Sequence, residues 1–206
     1  TKITLHIKDD TENDKYSEFL EEFKIKNLVK KYSDYIRYPI KTEVEKQRKT
    51  ADSDDKDPKY ETYTEIETLN SMVPLWHRNP SDITADEYND FYKDKFFDYT
   101  EPAKVIHFKA EGTVSFEALL YIPKKAPMNY YSKNYEKGLQ LYSSGVMITE
   151  KCESLLPDYF SFVKGLVDSP DLKLNISRET LQHDHQLKVI AKNIEKKIKS
   201  ELVKMM

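Results

Sequence analysis

Ile3, Leu5 and Ile7 alternate with polar residues, the period of two expected of a strand buried on one face. Beyond Asp14, a candidate helix cap, the period changes. Tyr16, Phe19, Leu20 and Phe23, then Ile25, Leu28, Val29, Tyr32 and Ile36, recur at spacings of three and four, which predicts a helix that Pro39 closes. Tyr38 to Glu45 reads as a second strand, so residues 1–46 form a strand–helix–strand unit too small to stand alone. Residues 47–59 hold one Ala and no larger apolar side chain, and cannot bury enough surface to offset the entropy of ordering them. That stretch is expected to be a linker or a hairpin tip, and the domain boundary is placed there.

From 60 to 206 the pattern predicts a second domain. Tyr63 to Leu69 is strand-like, and Ser81 or Thr84 can cap a short helix through Tyr88, Phe91, Tyr92 and Phe96. Val105 to Ala110 and Val114 to Ile122 read as a hairpin turning tightly at Glu111-Gly112. Gly138 to Tyr142 and Val146 to Thr149 are further strands, and a helix is expected around Cys152 to Leu156. The turn cluster Asp168-Ser169-Pro170-Asp171 precedes a loop. A long amphipathic helix then puts Leu187, Ile190, Ala191, Ile194, Ile198 and Leu202 on one face. The expected fold class is α/β (α+β), a sandwich with a mixed sheet and a long final helix.

Composition narrows the chemistry. Lys and Arg number 33 against 36 Asp and Glu in 206 residues, so no general attraction to nucleic acid or anionic membrane follows. Mean hydropathy is −0.76, and no apolar run approaches a membrane span. The single Cys152 suits a reducing compartment and reads as a small buried hydrophobe, so a cytoplasmic location is expected. The first residue is Thr1 and the last, Met206, stands inside a helical pattern, so both ends read as cut and a fragment is expected.

Generic catalytic patterns are missing. Four glycines form neither a GxxxxGK[ST] nor a GxGxxG loop, so no nucleotide pocket is expected within the chain. His183-Asp184-His185 splays its side chains to different faces of a helix start, which favours a solvated terminus over a metal site. Tyr130, Tyr131 and Tyr135 read as packing rather than a stacking platform. Trp76, between two prolines, either covers an edge of the core or is an exposed anchor for another protein. Arg178 is either a surface arginine near a helix start or a reach-over group for a phosphate held elsewhere, a role its planar, always-charged fork suits.

Four blocks occur in order: Lys26–Pro39 (KNLVKKYSDYIRYP), Pro74–Ile83 (PLWHRNPSDI), Phe162–Asp168 (FVKGLVD) and Leu172–Gln182 (LKLNISRETLQ). Together they resemble the heat shock protein 90 chaperone family, bacterial HtpG type, over essentially the whole chain. The resemblance implies that residues 1–46 end an N-terminal ATPase domain and that 60–206 are the larger part of a middle domain with a fold like domain 2 of ribosomal protein S5. It implies ATP and Mg²⁺ as cofactors of the full-length protein, held outside this stretch, and an isolated fragment without ATPase activity. Arg178 would reach the γ-phosphate across the domain interface, with Asn175 and Gln182 as supporting polar groups. The implied partners are client proteins, the ATPase domain of the same chain and a second copy joined through a C-terminal domain. Trp76 matches a tryptophan implicated in client contact; a purely binding role for clients or cochaperones is the alternative to the catalytic one. At Lys125-Ala126-Pro127-Met128 the chain departs from the family, where Arg commonly replaces Lys125 and a large aromatic replaces Met128. Lysine keeps the charge and loses the fork, which weakens the case for phosphate sensing there.

Overall fold

The computed structural model describes residues 1–49, 60–127, 130–133, 135–172 and 184–206. Two compact units emerge, Thr1–Met72 and Val73–Met206. The first contains helix α1 (Glu22–Tyr32) and strands β1 (Lys41–Lys49) and β2 (Tyr60–Thr68). β1 and β2 pair antiparallel along their whole length, from Lys41 opposite Thr68 to Lys49 opposite Tyr60. The stretch 47–59 thus begins inside a strand of a hairpin, and the division between units falls after Met72.

Two expectations for this unit are corrected. Ile3 to Ile7 form no strand: a strand is completed by pairing, and none of the described strands pairs with it. Ile3 and Leu5 are consequently 78% and 82% exposed. The helix is shorter than its apolar period. A 3-10 turn (Tyr16–Leu20) precedes α1, and Asp14 accepts from the Tyr16 hydroxyl instead of capping. α1 stops at Tyr32 because the following residues are captured by polar stitches. The buried Asp34 carboxylate accepts from the Ser71 amide (2.9 Å), the Ser71 hydroxyl (3.0 Å) and Lys30 (3.1 Å). Asn70, also buried, accepts from the Ile40 amide and donates to the carbonyls of Ile36 and Tyr38. Each stitch satisfies backbone groups that a chain leaving a helix would otherwise strand.

The second unit is built on five strands: β3 (Pro102–Ala110), β4 (Phe116–Pro123), β5 (Leu139–Ser143), β6 (Val146–Cys152) and β7 (Lys164–Asp168). Their order is β3-β4-β7-β5-β6, with β5 and β7 parallel and the other neighbours antiparallel, so the sheet is mixed as expected. Helix α2 (Ala85–Phe96) starts on a full capping box, Thr84 accepting from the Glu87 amide while Glu87 accepts from the Thr84 amide. The hairpin of β3 and β4 is real, but Ala110 pairs with Phe116, so residues 111–115 form a wider loop than a two-residue turn. Around Cys152 only a 3-10 turn forms (Glu153–Leu155). The Cys152 thiol is buried, and burial pushes its pKa up.

Both sheet faces are covered. Ala118, Leu120 and Ile122 of β4 join Leu141 and Val167 in a core with Leu187, Ile190, Ile194 and Ile198 of helix α3 (Asp184–Met205). The alternate position Tyr121 faces Tyr92 and Phe96 of α2, with ring centroids 4.9 and 5.9 Å away. Gly165 lets β7 approach β4: a Cβ there would lie 2.4 Å from the Leu119 carbonyl oxygen, and φ is +150°.

Candidate functional site

Arg178, Asn175 and Gln182 lie outside the described residues, as does His183. What the structure describes is the foot from which segment 173–183 departs and to which it returns. Asp168, 2% exposed, ends β7 and opens that foot. Ser169 donates its hydroxyl to the Ser115 carbonyl (2.6 Å), and Asp171 accepts from the Ser115 amide (2.6 Å). The Ser143 hydroxyl donates to the Leu172 carbonyl (2.6 Å), tying the end of β5 to the last residue of the foot. On the returning side, Gln186 of α3 donates to the Asp171 carbonyl (3.4 Å). Buried backbone groups in an irregular segment need such partners, and each one removes a way for the segment to shift.

The Trp76 turn joins the same foot. Trp76 lies in a 3-10 turn (Leu75–His77) and its indole Nε1 donates to Asp168 Oδ2 over 3.1 Å. The same oxygen accepts from the Gly145 amide (3.0 Å) and from His77 Nε2 (3.1 Å). On the other side, His107 Nε2 lies 2.9 Å from the Trp76 carbonyl and its Nδ1 lies 2.7 Å from the Tyr88 hydroxyl. A carbonyl can only accept, so Nε2 carries the His107 proton and Nδ1 accepts from Tyr88. The ring of Trp76 meets Tyr142 at 5.2 Å and Phe91 at 6.2 Å between centroids. At 1% exposure the ring is buried, which favours the first of the two readings of Trp76, covering an edge of the core.

His77 is half-buried between two carboxylates, with Nε2 3.1 Å from Asp168 and 3.3 Å from Glu117. Its hydrogen bond to Asp168 holds the imidazole pKa above the ordinary value; burial opposes that rise and the Glu117 charge adds to it. Nothing in the sequence pairs His77 with Asp168, because the two are far apart in the chain. The signal that was present is modest: the block FVKGLVD ends on an acid after an apolar run, where a strand end buries it.

Lys125 is exposed in the loop after β4. It lines a cavity of about 310 Å³ with Pro123, Ala126, Tyr130, Tyr131 and Phe162. The tyrosines pack as expected, Tyr130 and Tyr135 meeting at 5.1 Å and both bonding Ser161, although Tyr131 is 92% exposed. His185 is exposed at the start of α3. Among the described residues no group of three or more His, Cys, Asp or Glu could hold a metal ion. No helix among them is long and apolar enough to cross a membrane.

Comparison with known proteins fits the blocks quoted above. The family described as Hsp90 protein matches residues 18–62 and 48–206. The chain is 54% identical over 206 residues to chaperone protein HtpG of Alkaliphilus oremlandii, covering 100% of this chain and 32% of that protein. It is 57% identical over 205 residues to chaperone protein HtpG of Clostridium acetobutylicum, again covering 100% and 32%. The same-named protein of Clostridium perfringens is 56% identical over 206 residues, covering 100% and 33%. The chain therefore spans about a third of the length of these curated relatives. It belongs to the Hsp90 protein family.

Proposed function

We propose that this chain is part of an ATP-dependent chaperone and that Arg178 completes an ATP site held by another domain of the same protein. The observation that carries the reading is the block Leu172–Gln182, LKLNISRETLQ, standing in order with three other family blocks. Arg178 would stabilise the charge that develops on the transferred phosphoryl group, which a planar, permanently charged guanidinium does well in a site closed to water. Asn175 and Gln182 would support it as polar neighbours. ATP supplies the phosphoryl group, and water takes it up. Magnesium and the nucleotide fall to the other domain in this reading.

The stitched foot supports this reading physically. An arginine that acts across an interface must be delivered to one place, and Ser115, Ser143 and Gln186 fix where its segment leaves and re-enters the fold. Domain closure then gates turnover. Unfolded or partly folded proteins are the proposed partners, and a second copy is the proposed dimer mate through the rest of the full-length chain. Client contact is not assigned to the Trp76 ring, which is buried.

The test is Arg178→Ala in the full-length protein. Turnover is expected to fall by about 10²-fold or more with ATP affinity nearly unchanged. Unchanged turnover would sink the reading.

A further inference from the structure

We propose that His77, Glu117 and Asp168 form a proton-operated latch that holds the Trp76 turn to β4 and β7 at the foot of segment 173–183. The inference does not rest on the ATPase reading. Glu117 and Asp168 sit directly opposite each other in the register of β4 and β7. Two carboxylates in that arrangement repel, and each has a buried oxygen without a hydrogen bond, Oε2 of Glu117 and Oδ1 of Asp168. Asp168 compensates by crowding three donors onto Oδ2. Only one of them, His77, can bring a positive charge.

The surroundings leave that task to His77. From β3, Lys109 reaches Glu117 Oε1 at 3.6 Å and shares its charge with Glu111 at 3.3 Å. His107, also on β3, is committed to the Trp76 carbonyl and Tyr88. Arg78, next to His77, is held by Glu87 at 2.7 Å and the Asp82 carbonyl at 2.9 Å. The turn between β5 and β6 contributes only the Gly145 amide. Protonated, His77 has Nε2 within 3.3 Å of both carboxylates, and its single positive charge offsets one of the two facing negative charges. Neutral, it keeps one N–H for Asp168 and leaves the two charges opposed.

The direction follows from the imidazole's raised pKa. The added stabilisation is complete below the unfolded value, about 6.5, and is lost as pH rises through the folded value. The latch is therefore closed below the ordinary histidine pKa and loosens as pH rises through the raised one. Its load is the indole of Trp76 and, through Asp168, the foot that runs to Leu172.

Trp76 is the only tryptophan of the chain, and its ring lies 5.9 Å from that of His77, so it reports on the latch directly. A protonated imidazole at this distance quenches indole emission. Emission of the 206-residue chain, followed from pH 5 to 9, is expected to rise in one step centred above the ordinary histidine range. His77→Gln is expected to abolish the step, and Glu117→Gln to lower its midpoint while leaving its shape. A step that survives His77→Gln overturns the proposal. So does an unshifted midpoint in Glu117→Gln, a variant whose folding is checked by circular dichroism; a misfolded Glu117→Gln is replaced by Lys109→Gln, for which the proposal requires a raised midpoint.

Discussion

In the unit Val73–Met206, α3 covers one face of the sheet, and the Trp76 turn and α2 cover the other. Along β4 five consecutive residues, Ala118 to Ile122, are buried. In Thr1–Met72, by contrast, Val44 and Leu69 are the buried apolar side chains among the described residues, while Leu20 and Phe23 are 70% and 75% exposed. What holds the smaller unit is a set of polar stitches through Asp34, Asn70 and Ser71. A hydrogen bond contributes about 1 kcal/mol net, whereas a fully buried large apolar side chain contributes about 1.5–3 kcal/mol. The larger unit is thus stabilised by area and the smaller by a few directional contacts whose loss strands their partners. The larger unit uses the directional device as well, at Asp168, but there it orients a foot that the core already supports.

The comparison breaks most easily in the apolar core. Leu120→Ala, at a position with no exposure, is expected to cost about 2–5 kcal/mol, whereas Leu20→Ala in the smaller unit is expected to cost less than about 0.5 kcal/mol. Denaturant unfolding of both variants measures this, and equal losses would mean that the smaller unit hides an apolar core of its own. Next in size is Asn70→Ala. It leaves the Ile36 and Tyr38 carbonyls and the Ile40 amide without their partner, at a cost of about 1–3 kcal/mol. Hydrogen exchange should show the loss in residues 36–40 and not in β4. The smallest effect is expected at Thr84→Ala, which removes one half of a capping box for about 1 kcal/mol, read as a lowered Tm.

What the sequence could and could not reveal follows the same division. Thr84 with Glu87 three residues on is a local signal, and the helix begins there. The final helix was legible because α3 buries Leu187, Ile190, Ile194 and Ile198 of its apolar stripe in one core. Ile3 to Ile7 carry an equally clear alternation, yet alternation specifies a strand only when a neighbour accepts its hydrogen bonds. The end of α1 was missed because Ser71 and Asn70, which hold the chain beyond it, come from the far side of the β1–β2 hairpin. The two readings of Trp76 stayed open for the same reason. Its partner Asp168 is 92 residues away. The family blocks carried the functional reading, since no short motif around Arg178 distinguishes a phosphate-reaching arginine from a surface one.

Arg178 in the full-length protein tests the central claim most directly. Single-turnover ATP hydrolysis would be compared for the parent, Arg178→Lys and Arg178→Ala, with nucleotide affinity measured in parallel. The account predicts a loss of about 10²-fold or more in Arg178→Ala, a smaller loss in Arg178→Lys because the charge survives without the fork, and similar ATP affinity throughout. Turnover equal to the parent in Arg178→Ala would contradict it.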